Sequence, residues 1–293
     1  MLAYDVVIPT RNRAESLRMT LASILAQEVS ARTITVIDAS DYDDSERICT
    51  EAKVNHHRAE GTPSAARQRN QGAALGTSPI VLFCDDDITL AADTTGKLLT
   101  AYHEQGTGGV AARIDGCELP PPSRLTRAYY RIQAGYDDPH FGARLLGPAI
   151  TTYPCYQLQG DGLIAAEWLN SGLVSYRREA FEAYRFPEFD GYSAFEDVHL
   201  SASIAKNWKL YFDGSTDCQH GDNAQSMSGD QHRSNTAMHF RNLPLVARSV
   251  LGMPEPELTL RVLLHRLFVT AAVLKARPTH ALETLAGIWT LKK

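Results

Sequence analysis

The chain opens on a short apolar run, "YDVVIP" (residues 4–9), closed by a proline. That composition predicts a buried strand. "AESLRMTLASILAQ" (14–27) then places Leu17, Leu21, Ile24 and Leu25 at helical spacing. The alternation continues. "RTITVIDAS" (32–40) predicts a second strand, "DDSERICTEA" (43–52) a helix, and "KVNHHRAE" (53–60) a third, less apolar strand. "SAARQRNQGAALG" (64–76) predicts a helix with Ser64 as its N-cap and Gly76 as its stop. "PIVLFC" (79–84) is the most strand-like run of all, and the helix "DTTGKLLTAYHEQ" (93–105) and the strand "GGVAARI" (108–114) follow it. Apolar strands alternating with amphipathic helices predict an α/β protein whose sheet is mostly parallel, with helices on both faces. In such sheets ligands bind beyond the carboxyl ends of the strands. Thr10 to Asn12, Asp38 to Ser40 and Asp85 to Asp87 are therefore the first site candidates.

The pattern changes after about residue 115. Residues 117–162 are rich in Pro, Gly and Tyr, and so long an irregular stretch inside a compact domain predicts a lid or binding loop. "NSGLVSYRREAFEAY" (170–184) then reads as strand and helix, "AFEDVHLSASIAKN" (194–207) as a helix, and "KLYFDG" (209–214) as a strand. The segment 257–276 is a strongly apolar helix interrupted by Arg261, His265 and Arg266.

Composition narrows the class. With 293 residues, 44% hydrophobic and 22% charged, the chain can bury a sizeable core. Its net charge of −5 argues against a nucleic-acid surface. Basic residues gather at the end, with nine Lys/Arg against four Asp/Glu in residues 223–293. The five cysteines are an odd number, lie far apart and include no C-x-x-C, which points to a reducing compartment rather than a disulfide framework. No signal peptide and no run of about 20 apolar residues is visible. A cytoplasmic protein is the expectation.

"VLFCDDDITL" (81–90) carries the chemistry. Three carboxylates in a row, Asp85, Asp86 and Asp87, repel one another unless a cation sits among them. A turn and helix N-cap could also use such residues. At the carboxyl end of a central strand, the trio suits a hard divalent ion, Mg²⁺ or Mn²⁺, with phosphate oxygens and water completing its shell. The implied ligand is a phosphate-bearing nucleotide. No "GxxxxGK[ST]" and no "GxGxxG" occurs, which excludes the usual P-loop and dinucleotide fingerprints. Glu196 and Asp197 form a second acidic pair, where a helix first turn alone could also place them. His220 follows a strand end, and a neutral imidazole there could complete a Mn²⁺ site.

Taken in order, "VVIPTRNR", "VIDAS", "SAARQRNQG", "VLFCDDD", "NSGLVSYRREAFEAY", "FEDVHLSASIAKN" and "KLYF" resemble a family 2 glycosyltransferase over roughly residues 4–220. The bacterial polysaccharide-type members are the nearest in style. The resemblance implies the GT-A fold, a Rossmann-like mostly parallel sheet, followed here by a C-terminal helical tail. It implies a nucleotide-sugar-binding half over residues 1–115, an acceptor-binding half over 116–222 and a helical extension over 223–293. The implied reaction moves a sugar from a nucleotide-diphosphate sugar (UDP-, GDP- or dTDP-linked) to a hydroxyl of a glycan or lipid-linked acceptor, with inversion.

The resemblance also implies roles. Pro9, Thr10, Arg11 and Asn12 would line the nucleotide, Asp38 would bind the base, Arg67 would face the base or phosphates, and Asn70 would steady the loop. "VIDAS" keeps one Asp where the family often has two, which weakens an assignment to uracil. Asp85 would meet the ribose and Asp87 the metal, with Asp86 in the variable position between them. His220 would be a second metal ligand. Asp197 would take the proton from the acceptor hydroxyl, and Glu196 would contact the acceptor or position Asp197. "DVHL" has His199 where members usually carry a second Asp. Trp168, with the Tyr/Pro-rich stretch, would form the acceptor side.

Two other functions share part of this pattern. A sugar nucleotidyltransferase normally opens with a Gly-rich loop and a Lys after the first strand, and "IPTRNRAES" has neither. A non-catalytic nucleotide-sugar binder would be expected to lack the carboxylates. The tail 257–276 is expected to dock on something apolar: its own catalytic domain, a second subunit or the cytoplasmic membrane face. In the membrane reading Arg261, His265 and Arg266 mark an edge facing solvent or anionic headgroups.

Overall fold

β1 (Tyr4–Thr10) is buried along its whole length, and the sheet is built outward from it. The computed structural model describes residues 2–115, 121–154, 162–189, 194–221 and 228–290. β2 (Thr33–Asp38) and β4 (Ile80–Cys84) flank β1 in parallel, and β3 (Asn55–Arg58) lies parallel outside β2. The crossovers are α1 (Ala14–Leu25), α2 (Asp44–Ala52) and α3 (Ala65–Ala74). β5 (Ile88–Leu90), α4 (Thr94–Thr100) and β6 (Thr107–Ala112) follow. The predicted α/β alternation is thus present, with element ends shifted by a few residues.

The chain then adds α5 (Arg124–Ala134), the two-residue strands β7 (Leu145–Leu146) and β8 (Ile150–Thr151), β9 (Leu163–Ala166) and β10 (Leu173–Arg177). Next come α6 (Arg178–Tyr184), α7 (Glu196–Ile204), β11 (Lys209–Asp213) and β12 (Cys218–His220). Three helices close the described chain: α8 (Gly229–Ser249), α9 (Glu255–Ala276) and α10 (Ala281–Ile288). The main sheet runs β3-β2-β1-β4-β10-β6-β11-β9. β10 and the edge strand β9 are antiparallel to their neighbours, so the sheet is mostly rather than wholly parallel. Separately, β12 pairs antiparallel with β5, which brings His220 opposite Ile88.

Alternation along β1 separates two cores. Val6 and Ile8 face a cluster with α1, α2 and α4, while Val7 faces one with α3, α6 and α7. Helices therefore cover both faces. α3 lies very close to the sheet: a Cβ on Gly72 would stand 2.3 Å from Val7 Cγ1. Gly76 follows the end of α3 for a similar reason, since a Cβ there would meet the Asp5 carboxylate at 2.4 Å. Asp5 is buried and accepts from Ser78, Thr33 and Arg178, which ties the start of β1 to β10's end.

Two expectations are corrected here. Residues 124–134, inside the stretch expected to be irregular, form a capped helix. Ser123 accepts from the Thr126 N–H, and Gly135 (φ 82°) ends the helix in the left-handed region. Residues 117–120 and 155–161 of that stretch lie outside the described residues. The polar edge of the tail is also different. His265 is buried against Tyr129, Arg261 donates to the Ile132 and Gln133 carbonyls at the end of α5, and Arg266 lies over the Phe240 ring. All three turn inward, because this face of α9 meets α5 and α8. Leu258 is buried, and Val262, Leu264 and Phe268 pack against a third core cluster with α5, α7 and α8. α9 therefore packs within its own chain, while Leu260, Leu263, Leu267 and Leu274 remain exposed. No helix among the described residues is long and apolar enough to cross a membrane. Cys49, Cys84 and Cys218 are free and buried; Cys117 and Cys155 are not among the described residues.

Candidate active site

The carboxyl ends of β1 and β4, the start of α3 and the start of α7 enclose a cleft of about 490 Å³. Pro9, Thr10, Arg11, Asp85, Asp86, Asp87, Glu196 and His220 all line it. The sequence separates Pro9 from His220 by 211 positions; the sheet brings them together.

The three aspartates have different partners. Asp85 accepts from Arg69 Nη2 at 2.6 Å, and its own N–H donates to the Gly172 carbonyl. Asp86 accepts from the Thr10 hydroxyl at 2.7 Å and from Arg13 Nη1 at 3.2 Å. Asp87 accepts from the same Arg13 nitrogen at 2.6 Å through Oδ2, while its Oδ1 stands 3.6 Å from His220 Nε2. Burial pushes the carboxyls of Asp85 and Asp86 up, and Arg69 and Arg13 respectively oppose that rise.

Arg69 and Arg13 were not among the residues singled out from sequence. Arg69 is 3% exposed and also stands 3.5 Å from Glu196 Oε1. It links the aspartate trio to the second acidic pair. A signal for it existed: Ala66, Arg69 and Ala73 recur at helical spacing and are the buried face of α3. Arg67, two residues earlier, points elsewhere. It pairs with Glu188 at 2.8 Å and donates to the Thr62 carbonyl, and it does not line the cleft. Gln68 donates to the carbonyls of Thr10 and Ile37, which fixes the start of α3 against β1 and β2.

Other candidates stand behind the cleft wall. Asp38 is fully buried at the end of β2, with His56 at 3.1 Å, Arg58 at 3.3 Å and the Ser40 N–H on its carboxylate. Asn12 (φ 56°) exchanges hydrogen bonds with Asp41 and Ser40 and so pins the loop after β1 to the loop after β2. Asn70 grips the Phe186 backbone through both its amide atoms. Trp168, expected on an acceptor face, is 5% exposed within the third core cluster, and its indole N–H donates to the Thr152 carbonyl. A side chain so enclosed presents no open ring.

Glu196 and Asp197 begin α7, where the helix dipole favours negative charge. Phe195 before them takes a left-handed backbone (φ 75°), a strained setting for a bulky residue. Glu196 lines the first cleft and also a second one of about 760 Å³, which Asp197 lines too. The second cleft is walled by α5, α8, α9 and α10. Burial pushes both carboxyls above their ordinary range; the Asp197 charge adds to the rise at Glu196, Asp85 adds to the rise at both, and Arg69 pulls the other way.

The donor set has room for a divalent ion at one place. His220 Nδ1 lies 3.1 Å from the Gly221 carbonyl, which suits the Nδ1–H tautomer and leaves the Nε2 lone pair toward Asp87 Oδ1. No group of three or more His, Cys, Asp or Glu side chains forms a metal cluster among the described residues. Asp87 and His220 therefore fit an ion only if a ligand such as a diphosphate, with water, completes its shell.

Comparison with known proteins gives one family. Residues 5–144 match the model described as glycosyl transferase family 2. Among solved structures, the mannosyltransferase PcManGT from Pyrobaculum calidifontis, in complex with GDP-Man and Mn²⁺, superposes with a TM-score of 0.58 at 16% identity, covering 98% of this chain and 86% of that one. TarS from S. aureus, as its fragment, gives 0.56 at 14% identity over 89% and 69% of the two chains. GalNAc-T7, solved with UDP, GalNAc and Mn²⁺, gives 0.62 at 16% identity; the match covers 85% of this chain and 48% of GalNAc-T7, about half its length. No curated protein matches the chain in sequence. The architecture is the GT-A fold, and residues 5–144, just under half of the chain, are similar to glycosyl transferase family 2.

Proposed function

We propose that the chain is an inverting, metal-assisted glycosyltransferase that moves a sugar from a nucleotide-diphosphate sugar to an acceptor hydroxyl in polysaccharide or glycolipid synthesis. One observation carries the reading: Glu196 and Asp197 stand where two clefts meet, facing the Arg69–Asp85 pair. In-line displacement needs a base on one side and a charge sink on the other. The GDP-Man and UDP bound in two of the similar structures, each with Mn²⁺, support the choice of donor and ion.

In this reading the first cleft holds the donor. Pro9, Thr10 and Arg11 border the nucleoside, and Asp85, steadied by Arg69, meets the ribose. Asp38 and Asn12 act from behind by fixing the loops after β2 and β1. Arg69 and Arg13 supply fixed positive charge beside the diphosphate. Asp87 and His220 would hold Mn²⁺ or Mg²⁺, the imidazole favouring Mn²⁺, and the ion supplies neutralisation of the leaving diphosphate.

The second cleft holds the acceptor. Its hydroxyl oxygen attacks the anomeric carbon from the face opposite the diphosphate, the C–O bond to the diphosphate breaks, and the hydroxyl proton passes to the Asp197 carboxylate. A carboxyl pushed up by burial is a better base than a free aspartate, and it needs only to be positioned because proton loss accompanies attack. Glu196, shared by both clefts, positions Asp197 and contacts the acceptor.

Thermal unfolding against a panel of UDP-, GDP- and dTDP-sugars with Mn²⁺ tests the proposal. A ligand that binds only the folded state raises Tm by mass action, by an amount corresponding to about 2.7 kcal/mol at a hundredfold excess over Kd. At least one donor is expected to stabilise the protein and to be slowly hydrolysed. A chain indifferent to all of them contradicts the reading.

A further inference from the structure

The second cleft carries information about its occupant. Its volume of about 760 Å³ falls inside the about 300–1,000 Å³ of small-ligand pockets. Its charged lining consists of Glu196 and Asp197 alone; no Lys or Arg lines it among the described residues. Two histidines, His239 and His265, are in its wall. Burial drives them down to about 4 and about 3, so both are neutral at pH 7. An anionic ligand would lose its water here beside two carboxylates and meet no Lys or Arg in the described lining, Arg69 and Arg266 standing behind Glu196 and Phe240.

The polar groups present are of another kind. Gln133 Nε2 donates to the Arg261 carbonyl at 3.1 Å and to the Tyr129 hydroxyl at 3.2 Å. That hydroxyl therefore directs its own proton to His265 Nδ1, at 2.7 Å. The relay fixes His265 as the Nε2–H tautomer. His265 is 7% exposed, and its Nε2–H has no partner among the described residues. This donor is offered to whatever fills the cleft, whose lining also holds Thr151, Ser171, Thr236, His239 and Thr284. Around it stand aromatic faces: Phe268 stacks on Tyr129 at 3.8 Å, and Phe195 packs on His239. Apolar walls with a few placed hydrogen-bonding groups match a sugar ring, whose C–H faces are apolar and whose edges are hydroxyls.

We infer that the C-terminal helices build an acceptor subsite for an uncharged sugar ring, with the His265 Nε2–H as its hydrogen-bond donor. The inference rests on the glycosyl-transfer reading for the word acceptor, and on the cleft alone for the chemistry of the ligand. It gives α8, α9 and α10 a part in acceptor choice, and it rejects sugar phosphates and uronic acids at this position.

The test is direct binding, by saturation-transfer NMR and calorimetry on the full chain. The probes are p-nitrophenyl glucoside, galactoside and mannoside, against p-nitrophenyl glucuronide and the corresponding hexose phosphates. At least one neutral glycoside is expected to bind, about tenfold or more tighter than its anionic counterpart. His265→Phe, which keeps the ring and removes the donor, is expected to weaken it roughly three- to tenfold, and His265→Gln to restore part of the loss. His239→Phe, at a half-buried position with no hydrogen bond to lose among the described residues, is the second variant in case the first does not fold, and it too is expected to weaken binding. Equal binding of anionic probes, no binding of either class, or indifference to both histidine changes overturns the inference. Binding of neutral glycosides without turnover of any nucleotide sugar would leave the inference standing and remove the transfer reading. Turnover that requires an anionic acceptor would do the reverse.

Discussion

Replacing Arg69 by Met tests the electrostatics that join the two acidic groups. The side chain is 3% exposed and holds Asp85 at 2.6 Å and Glu196 at 3.5 Å. Methionine keeps the length and the apolar stem and deletes the charge. At an effective dielectric of about 20, unit charges ~4 Å apart attract by about 4 kcal/mol. Removing one partner of a buried pair costs about 3–5 kcal/mol in practice. The two attractions do not add to the loss, because the stranded carboxyls take up protons. That relief sets the pH dependence. Burial already raises the Glu196 carboxyl above its usual 4.5, with Arg69 opposing. A carboxyl raised in the folded state lends stability below its unfolded value and loses it as pH climbs through the folded value. Without Arg69 the folded value rises further. The stability deficit of Arg69→Met is therefore expected to be smallest near pH ~5 and to grow toward pH ~8. Urea unfolding of both proteins at several pH values, with unchanged m, measures it. Arg69→Lys is expected to recover only part, since it restores the charge without the planar fork. A deficit below about 1 kcal/mol at pH ~8, or one that does not change with pH, would refute the argument.

Three other outcomes are expected. Asp87→Ala, or wild type in EDTA, should lose turnover of the nucleotide sugar, and Mn²⁺ titration of the variant should show weakened binding; full turnover in EDTA would remove the metal from the account. Gly72→Ala forces a Cβ to within 2.3 Å of Val7, so α3 must lift from β1 at a cost of about 1–3 kcal/mol, and donor protection in thermal unfolding should fall with it; a variant as stable as wild type would show that the contact relaxes freely. Asp5 is 2% exposed; burial would raise its carboxyl, but Ser78, Thr33 and Arg178 more than offset this and hold it below the usual range. Its contribution is therefore present above pH ~4 and lost as pH falls through the folded value, so Asp5→Asn should narrow the stability gap to wild type on acidification.

The strand and helix alternation around β1 was legible because the apolar run Val6, Val7 and Ile8 and the helical spacing of Leu17, Leu21 and Ile24 mark a buried strand and an amphipathic helix, while the strand order came only from the structure. The position of Asp85 to Asp87 followed from the same pattern, since strand ends are where such sheets bind ligands. Arg69 was legible only as one member of the Ala66, Arg69 and Ala73 spacing; that it rather than Arg67 reaches the aspartates needs the register of α3 against β1, and a shift of two residues turns a helix by more than half a circle. Arg13 belongs to the same class, a loop side chain whose target is fixed by the approach of β1 to β4. Ser123 and Gly135 did mark the ends of α5, but flanking prolines made the stretch read as loop. Tyr129 and His265, 136 positions apart, meet only because α9 lies across α5, and local periodicity carries no information about that crossing. Trp168 shows the limit of composition: an aromatic side chain suits a sugar face and a core equally well, and burial decides.

The central claim is that Asp197 removes the acceptor's proton at the junction of the two clefts. Its most direct measurement is turnover of the stabilising nucleotide sugar by Asp197→Asn, with donor affinity followed by thermal unfolding of the same samples. Asparagine keeps the shape and cannot take the proton. The account predicts a rate lower by ~10²–10⁴-fold with donor affinity near that of wild type. Turnover by Asp197→Asn at the wild-type rate, with Glu196→Gln inactive, would contradict it and move the base to Glu196.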